Sequence, residues 1–119
     1  MPLWIVATPI GTLGDFSSRA AEVVEGASLI AAEDTRVTRR LFGALKISAP
    51  RIVSVRAKNE KEQVSSLVEE ARNGNLVYMC DAGTPGISDP GAHLVEAVLE
   101  AGVRVLSVPG PSALSTALS

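Results

Sequence analysis

Leu76-Val77-Tyr78-Met79-Cys80 runs directly into Asp81-Ala82-Gly83-Thr84-Pro85-Gly86-Ile87-Ser88-Asp89-Pro90-Gly91. The first five residues are an unbroken apolar run. A strand buried on both faces reads this way, because neither side of it meets water. The next eleven residues hold three Gly, two Pro and two Asp, so they read as a loop. Residues 93–100 then carry a helical pattern that stops at Gly102. Strand, long loop and helix in that order make one turn of an open α/β fold.

The same unit recurs on either side. Upstream, Leu3-Trp4-Ile5-Val6-Ala7 is a short apolar run that stops at Thr8-Pro9-Ile10-Gly11. A helix begins near Asp15 or Ser17 and stops at Gly26. Leu29-Ile30-Ala31-Ala32 is a second strand, and it ends in Glu33-Asp34-Thr35-Arg36. The spacing of Leu41, Phe42 and Leu45 predicts a helix over 38–45. Arg51-Ile52-Val53-Ser54-Val55 is a third strand. Val64, Leu67, Val68 and Ala71 then recur at i, i+3, i+4, i+7 in a helix over 61–73, closed by Asn73-Gly74. Downstream, Val103-Arg104-Val105-Leu106-Ser107-Val108 is a fifth strand, and Pro109-Gly110-Pro111-Ser112 turns into a last helical run.

No Asn-Gly hairpin turn joins two strands. The expected fold class is therefore α/β: an open, mostly parallel five-stranded sheet with helices on both faces. Residues 1–119 read as one domain without repeat or linker. The closing run Ala113-Leu114-Ser115-Thr116-Ala117-Leu118 has no C-cap signal, so the chain is expected to be a truncated N-terminal domain.

Composition narrows the function classes. At 46% hydrophobic and 20% charged residues the chain is globular. The lone cysteine, Cys80, cannot form an internal disulfide, and no Cys/His cluster offers a metal site. No 18-residue apolar stretch spans a membrane, and the start lacks the basic flank of a signal peptide. A cytoplasmic location is the default expectation.

The net charge of −2 hides an asymmetry. Residues 1–61 carry nine Lys/Arg against six Asp/Glu, and residues 62–119 carry two against seven. The excess falls between Arg36 and Lys61, where Glu60 is the lone carboxylate. A basic segment on an otherwise acidic chain suits a polyanionic partner, with a solvated helix face as the plain alternative.

In open α/β sheets ligands bind beyond the carboxyl ends of the strands. Three Gly/Pro-rich loops fall there: residues 8–14, 81–91 and 109–112. Glycine lets a ligand approach the main chain, and proline fixes the loop shape. Such a lining suits a polar small molecule such as a nucleoside derivative. The dinucleotide G-x-G-x-x-G spacing is absent, and so is the Gly-Lys-Ser/Thr phosphate loop.

Four blocks carry a family resemblance. They are Ala7-Thr8-Pro9-Ile10-Gly11 with Gly14-Asp15; Ala31-Ala32-Glu33-Asp34-Thr35-Arg36; the loop 81–91; and Pro109-Gly110-Pro111-Ser112-Ala113. In that order and spacing the chain resembles the tetrapyrrole (corrin/porphyrin) methylase superfamily, in its branch of ribosomal RNA cytidine 2′-O-methyltransferases. The resemblance runs over essentially all 119 residues.

It implies a two-domain, commonly homodimeric enzyme that uses S-adenosyl-L-methionine, with small ribosomal subunit RNA as substrate. The cofactor would lie between domains, held here by Pro9, Asp81, Gly83, Thr84, Ile87, Ser112 and Ala113. Arg36, Arg39 and Arg40 are candidates to grip RNA phosphates. After the third strand the family usually carries histidines before Asn-Glu, whereas this chain has Arg56-Ala57-Lys58-Asn59-Glu60. Arg56 and Lys58 either replace those histidines as phosphate contacts or mark the loss of a chemical function.

Methyl transfer to a ribose hydroxyl gains from positioning and from a general base. Asp34, Asp81 and Asp89 are the candidate bases; Asp81 and Asp89 can instead cap a turn or helix, and Asp34 can instead pair with Arg36. His93, Trp4 and Tyr78 read as structural. Two rivals remain: a methylase acting on a tetrapyrrole ring carbon, and a non-catalytic nucleotide- or RNA-binding module.

Overall fold

A computed structural model describes residues 2–8, 18–48, 51–55, 60–81 and 89–108. The strands are β1 (Leu3–Thr8), β2 (Leu29–Ala32), β3 (Ile52–Ser54), β4 (Leu76–Asp81) and β5 (Val105–Ser107). The helices are α1 (Ser18–Glu25), α2 (Thr35–Leu45), α3 (Glu60–Asn73) and α4 (Asp89–Glu100). Strand order is β3-β2-β4-β1-β5, and every pairing is parallel.

This order sorts the helices. From β1 the chain moves to β2 and then β3, toward one edge. It returns to β4 and passes beyond β1 to β5. Right-handed crossovers in opposite directions put their helices on opposite faces. Two cores result. On one face Leu67 and Ala71 of α3 and Leu94 and Val98 of α4 pack with Leu3, Ile5, Leu29, Ala31 and Tyr78. On the other, Ala20 and Val24 of α1 and Leu41 and Phe42 of α2 pack with Val6, Ile30, Ala32, Val77 and Met79.

The apolar run of β4 now has its explanation. Leu76 and Tyr78 point into one core and Val77 and Met79 into the other, and all four are buried. Side chains of this kind contribute ~1.5–3 kcal/mol each when fully buried, so the central strand anchors both layers at once.

Most boundaries fall within a residue of the sequence expectation, and three elements differ by more. Helix α2 begins at Thr35, three residues early, because the Asp34 side chain caps it. Helix α4 begins at Asp89, with Pro90 in its first turn, where a missing N–H costs no hydrogen bond. The strand expected over 103–108 is regular only over Val105–Ser107.

Candidate functional site

A parallel sheet delivers every strand end to the same edge, and the loops must leave from there. Thr8 and Asp81, the last residues of β1 and β4, are Cα partners. On the other side of β1, the Val108 N–H donates to the Ile5 carbonyl at 3.0 Å. Residues 9–17, 82–88 and 109–119 therefore depart from three adjacent strands. The chain after β1 leads to α1 and the chain after β4 to α4, on opposite faces. Diverging connections of that kind open a crevice between neighbouring strand ends.

The other half of the edge belongs to β2 and β3. Ala32 pairs with Met79 and with Ser54, and it accepts from the Val55 N–H at 2.9 Å. Glu33-Asp34 and residues 56–59 thus leave side by side, next to the β4 end. The strands that lead into the four resemblance blocks, far apart in the chain, end along one edge. Their order along it is β3, β2, β4, β1 and β5.

The structure places the candidate residues as follows. Pro9, Gly83, Thr84, Ile87, Ser112, Ala113, Arg56 and Lys58 lie outside the described residues. Asp81 closes β4 opposite Thr8. Asp89 opens α4 and so stands at a helix start and not within a loop.

Asp34 is the best defined. Its backbone is extended (φ −124°, ψ 101°), and one carboxylate oxygen accepts from the Arg36 and Val37 N–H groups at 3.0 and 3.4 Å. This is an N-cap. The Arg36 Nε lies 3.6 Å from the same oxygen. The Arg36 N–H, more than the other contacts, holds the Asp34 carboxyl below its ordinary value. A carboxylate stabilised in its charged form is a weak proton acceptor.

Arg36, Arg39 and Arg40 are exposed on α2, opposite its buried residues Thr38, Leu41 and Phe42. Among the described residues neither Arg39 nor Arg40 takes part in an ion pair. Their guanidinium groups face solvent near the 33–36 corner of the edge, where an anion could reach them.

Other chemistry-bearing side chains are placed as follows. Tyr78 is in the core. Trp4 is half-buried, with the Arg19 guanidinium carbon 5.5 Å from its ring centroid. His93 is exposed on α4. No group of three or more His, Cys, Asp or Glu among the described residues is arranged to hold a metal ion. No described helix is long and apolar enough to cross a membrane. A depression lined by Pro2, Arg72, Gly102 and Arg104 lies at the amino edge of the sheet, away from these loops.

The missed feature was the role of Asp34. An Asp immediately before Thr35-Arg36-Val37 is an N-cap signal, and it was readable as such.

Comparison with known proteins agrees with this geometry. Ribosomal RNA small subunit methyltransferase I of Escherichia coli O157:H7 is 48% identical over 118 residues, covering 98% of this chain and 41% of that protein. The protein of the same name from Synechocystis sp. is 46% identical over 117 residues, with 98% and 42% covered. The chain thus spans about two-fifths of the length of these relatives. Among solved structures, uroporphyrin III C-methyl transferase from Thermus thermophilus superposes with a TM-score of 0.69 at 21% identity, over 96% of this chain and 50% of that one. Diphthine synthase superposes with a TM-score of 0.67 at 18% identity, over 92% and 44%. At those identities the two structures establish the fold. The family model for Tetrapyrrole (Corrin/Porphyrin) Methylases matches residues 2–119. The chain belongs to the tetrapyrrole (corrin/porphyrin) methylases.

Proposed function

We propose that the protein carrying this chain is an S-adenosylmethionine-dependent methyltransferase that methylates a cytidine 2′-hydroxyl in small-subunit ribosomal RNA. The observation that carries this reading is the identity of nearly half, over 98% of the chain, to proteins named ribosomal RNA small subunit methyltransferase I from widely separated bacteria. The exposed, carboxylate-free face of α2 beside the loop edge supports it, because a polyanionic substrate needs such a surface.

The chain's residues suit the cofactor. The loops rooted at Thr8, Asp81 and Val108 offer main-chain groups and carboxylates, and the arginines sit on the β2 side. A neutral adenosine and a cationic sulfonium both fit that donor set. Pro9, Asp81, Gly83, Thr84, Ile87, Ser112 and Ala113 would hold the cofactor, which when bound supplies an activated methyl group. The rest of its pocket falls to residues beyond this chain.

The chain's own part in the reaction is binding, orientation and proton uptake. Arg36, Arg39, Arg40, Arg56 and Lys58 take RNA phosphates and set the register of the strand. Holding the ribose oxygen in line with the methyl carbon removes much of the entropic barrier. Asp81 or Asp89 accepts the hydroxyl proton. The intact enzyme works in the cytoplasm as a homodimer.

The test uses the full-length protein with labelled S-adenosylmethionine and small ribosomal subunits that lack the modification. Labelled 2′-O-methylcytidine in the digest supports the reading. Cofactor binding without label in RNA sinks it and favours a methylase of tetrapyrrole carbons.

A further inference from the structure

Gly43 of α2 and Lys46 at its C-terminal cap are both unfavourable for helix stability, and no described neighbour explains either. Gly43 lies inside the helix, is exposed, and a Cβ built on it would meet no described atom within 4 Å. Glycine is a poor residue at an exposed helical position, and neither space nor a positive φ calls for it here. Lys46 ends the helix in the left-handed conformation at φ 56° and ψ 41°. Its N–H donates to the Gly43 carbonyl at 3.3 Å, and the Ile47 N–H donates to the Phe42 carbonyl at 2.9 Å. This is a Schellman ending, which favours glycine. The ending of α4 shows the same bonds, with Gly102 donating to Leu99 and Val103 to Val98, and there the left-handed residue is a glycine at φ 79°.

Both residues share a region of α2. Arg36, Arg40 and Gly43 recur at i, i+4, i+7 and so form one stripe, opposite Thr38, Leu41 and Phe42. Arg39 flanks the stripe, and exposed Lys46 stands at its far end. From Thr35 to Asn59 the sequence holds seven Lys/Arg and no Asp or Glu. The helix is eleven residues long, which gives the stripe about 16 Å. That length takes it from the loop edge toward the opposite edge of the sheet.

We propose that the outer face of α2 is a docking track for an RNA phosphodiester backbone. It runs from Arg36 past Arg40 to Lys46, and the RNA comes closest at Gly43. A helix without a side chain at the centre of a basic stripe lets a sugar-phosphate chain lie against its backbone. A lysine in place of glycine at the end adds a phosphate contact despite the strained conformation. Charge complementarity names the occupant, because a track free of carboxylates has no advantage for a neutral or cationic partner. The track extends the substrate beyond the methylated nucleotide and onto the flank of the domain. This proposal rests on the RNA reading above.

The test measures binding of fluorescently labelled small-subunit ribosomal RNA to the full-length protein over a range of salt concentrations, alongside Tm. Two variants are used. Gly43→Gln fills the close approach without changing charge. It is expected to weaken binding several-fold with an unchanged salt slope and no loss of Tm. Lys46→Gly removes one phosphate contact and relieves strain. It is expected to raise Tm while weakening binding and reducing the salt slope by about 1. If the wild type binds RNA and both variants bind it equally well, the track is wrong and the RNA reading stands. If the wild type binds no RNA, both fall.

Discussion

Asp34 illustrates how one carboxylate can look catalytic and act structurally. It ties the end of β2 to the start of α2 through two backbone N–H groups, and Arg36 folds back onto it. Its pKa is lowered in the folded state, first by the Arg36 N–H. A depressed carboxylate pKa adds stability that is present above the unfolded value and lost as pH falls through the folded one. The relevant window therefore lies at and below roughly pH 4. Asp34→Asn keeps a good capping side chain but removes the charge. Its Tm should fall below wild type at pH 7, and the gap should narrow as pH falls below about 4 and the wild-type carboxyl protonates. A constant gap across that range would show that the charge contributes nothing to the cap. The same substitution should leave methyl transfer measurable at neutral pH, since a capping group is not asked to take the substrate proton.

At the scale of the element, glycine signals misled where their physical cause was mistaken. Asn73-Gly74 reads as a left-handed helix stop, yet Gly74 does not have a positive φ. What Gly74 supplies is space. A Cβ there would press on the Ser28 side chain, and Ser28 is held to the Asn75 carbonyl by both its N–H (2.8 Å) and its Oγ (3.1 Å). The turn before β2 and the turn before β4 interlock at this point. Gly74→Ala should therefore destabilise by about 1–3 kcal/mol, as overpacking does, measurable by denaturant unfolding. A neutral result would mean that Ser28 moves aside freely. Left-handed endings fall instead at Gly102, which the sequence announces, and at Lys46, where it offers no glycine. Strands and helix types were legible because burial on two faces leaves continuous apolar runs and burial on one leaves a 3.6-residue period. Helix starts were less so: Asp34 and Asp89 sit in polar loop-like stretches, and only the side-chain cap or the proline in the first turn shows where the helix begins.

On the scale of the whole molecule, strand order does the organising that sequence order hides. The four resemblance blocks could be read one by one, but the adjacency of the strands that lead into them follows from β1 lying between β4 and β5 and from β2 lying beyond β4. That arrangement divides the edge. The β4, β1 and β5 ends carry the loops proposed to hold the cofactor, while β2, β3 and α2 carry the arginines proposed to hold RNA. If the division is real, damage on one side should not propagate to the other. Gly83→Val, which adds bulk where the main chain is proposed to meet the cofactor, should raise KM for S-adenosylmethionine and leave KM for RNA near wild type. Arg40→Ala should do the reverse, and should also flatten the salt dependence of RNA binding, since a phosphate contact is lost. Groups that share no partner have nearly additive effects on the free energy. The loss in kcat/KM of the double variant should then equal the product of the single losses within about twofold. A much smaller combined loss would mean that the two sides act as a unit, with RNA seated only once the cofactor loops are in place. The edge would then be one composite site, and its two halves could not be assigned separate substrates.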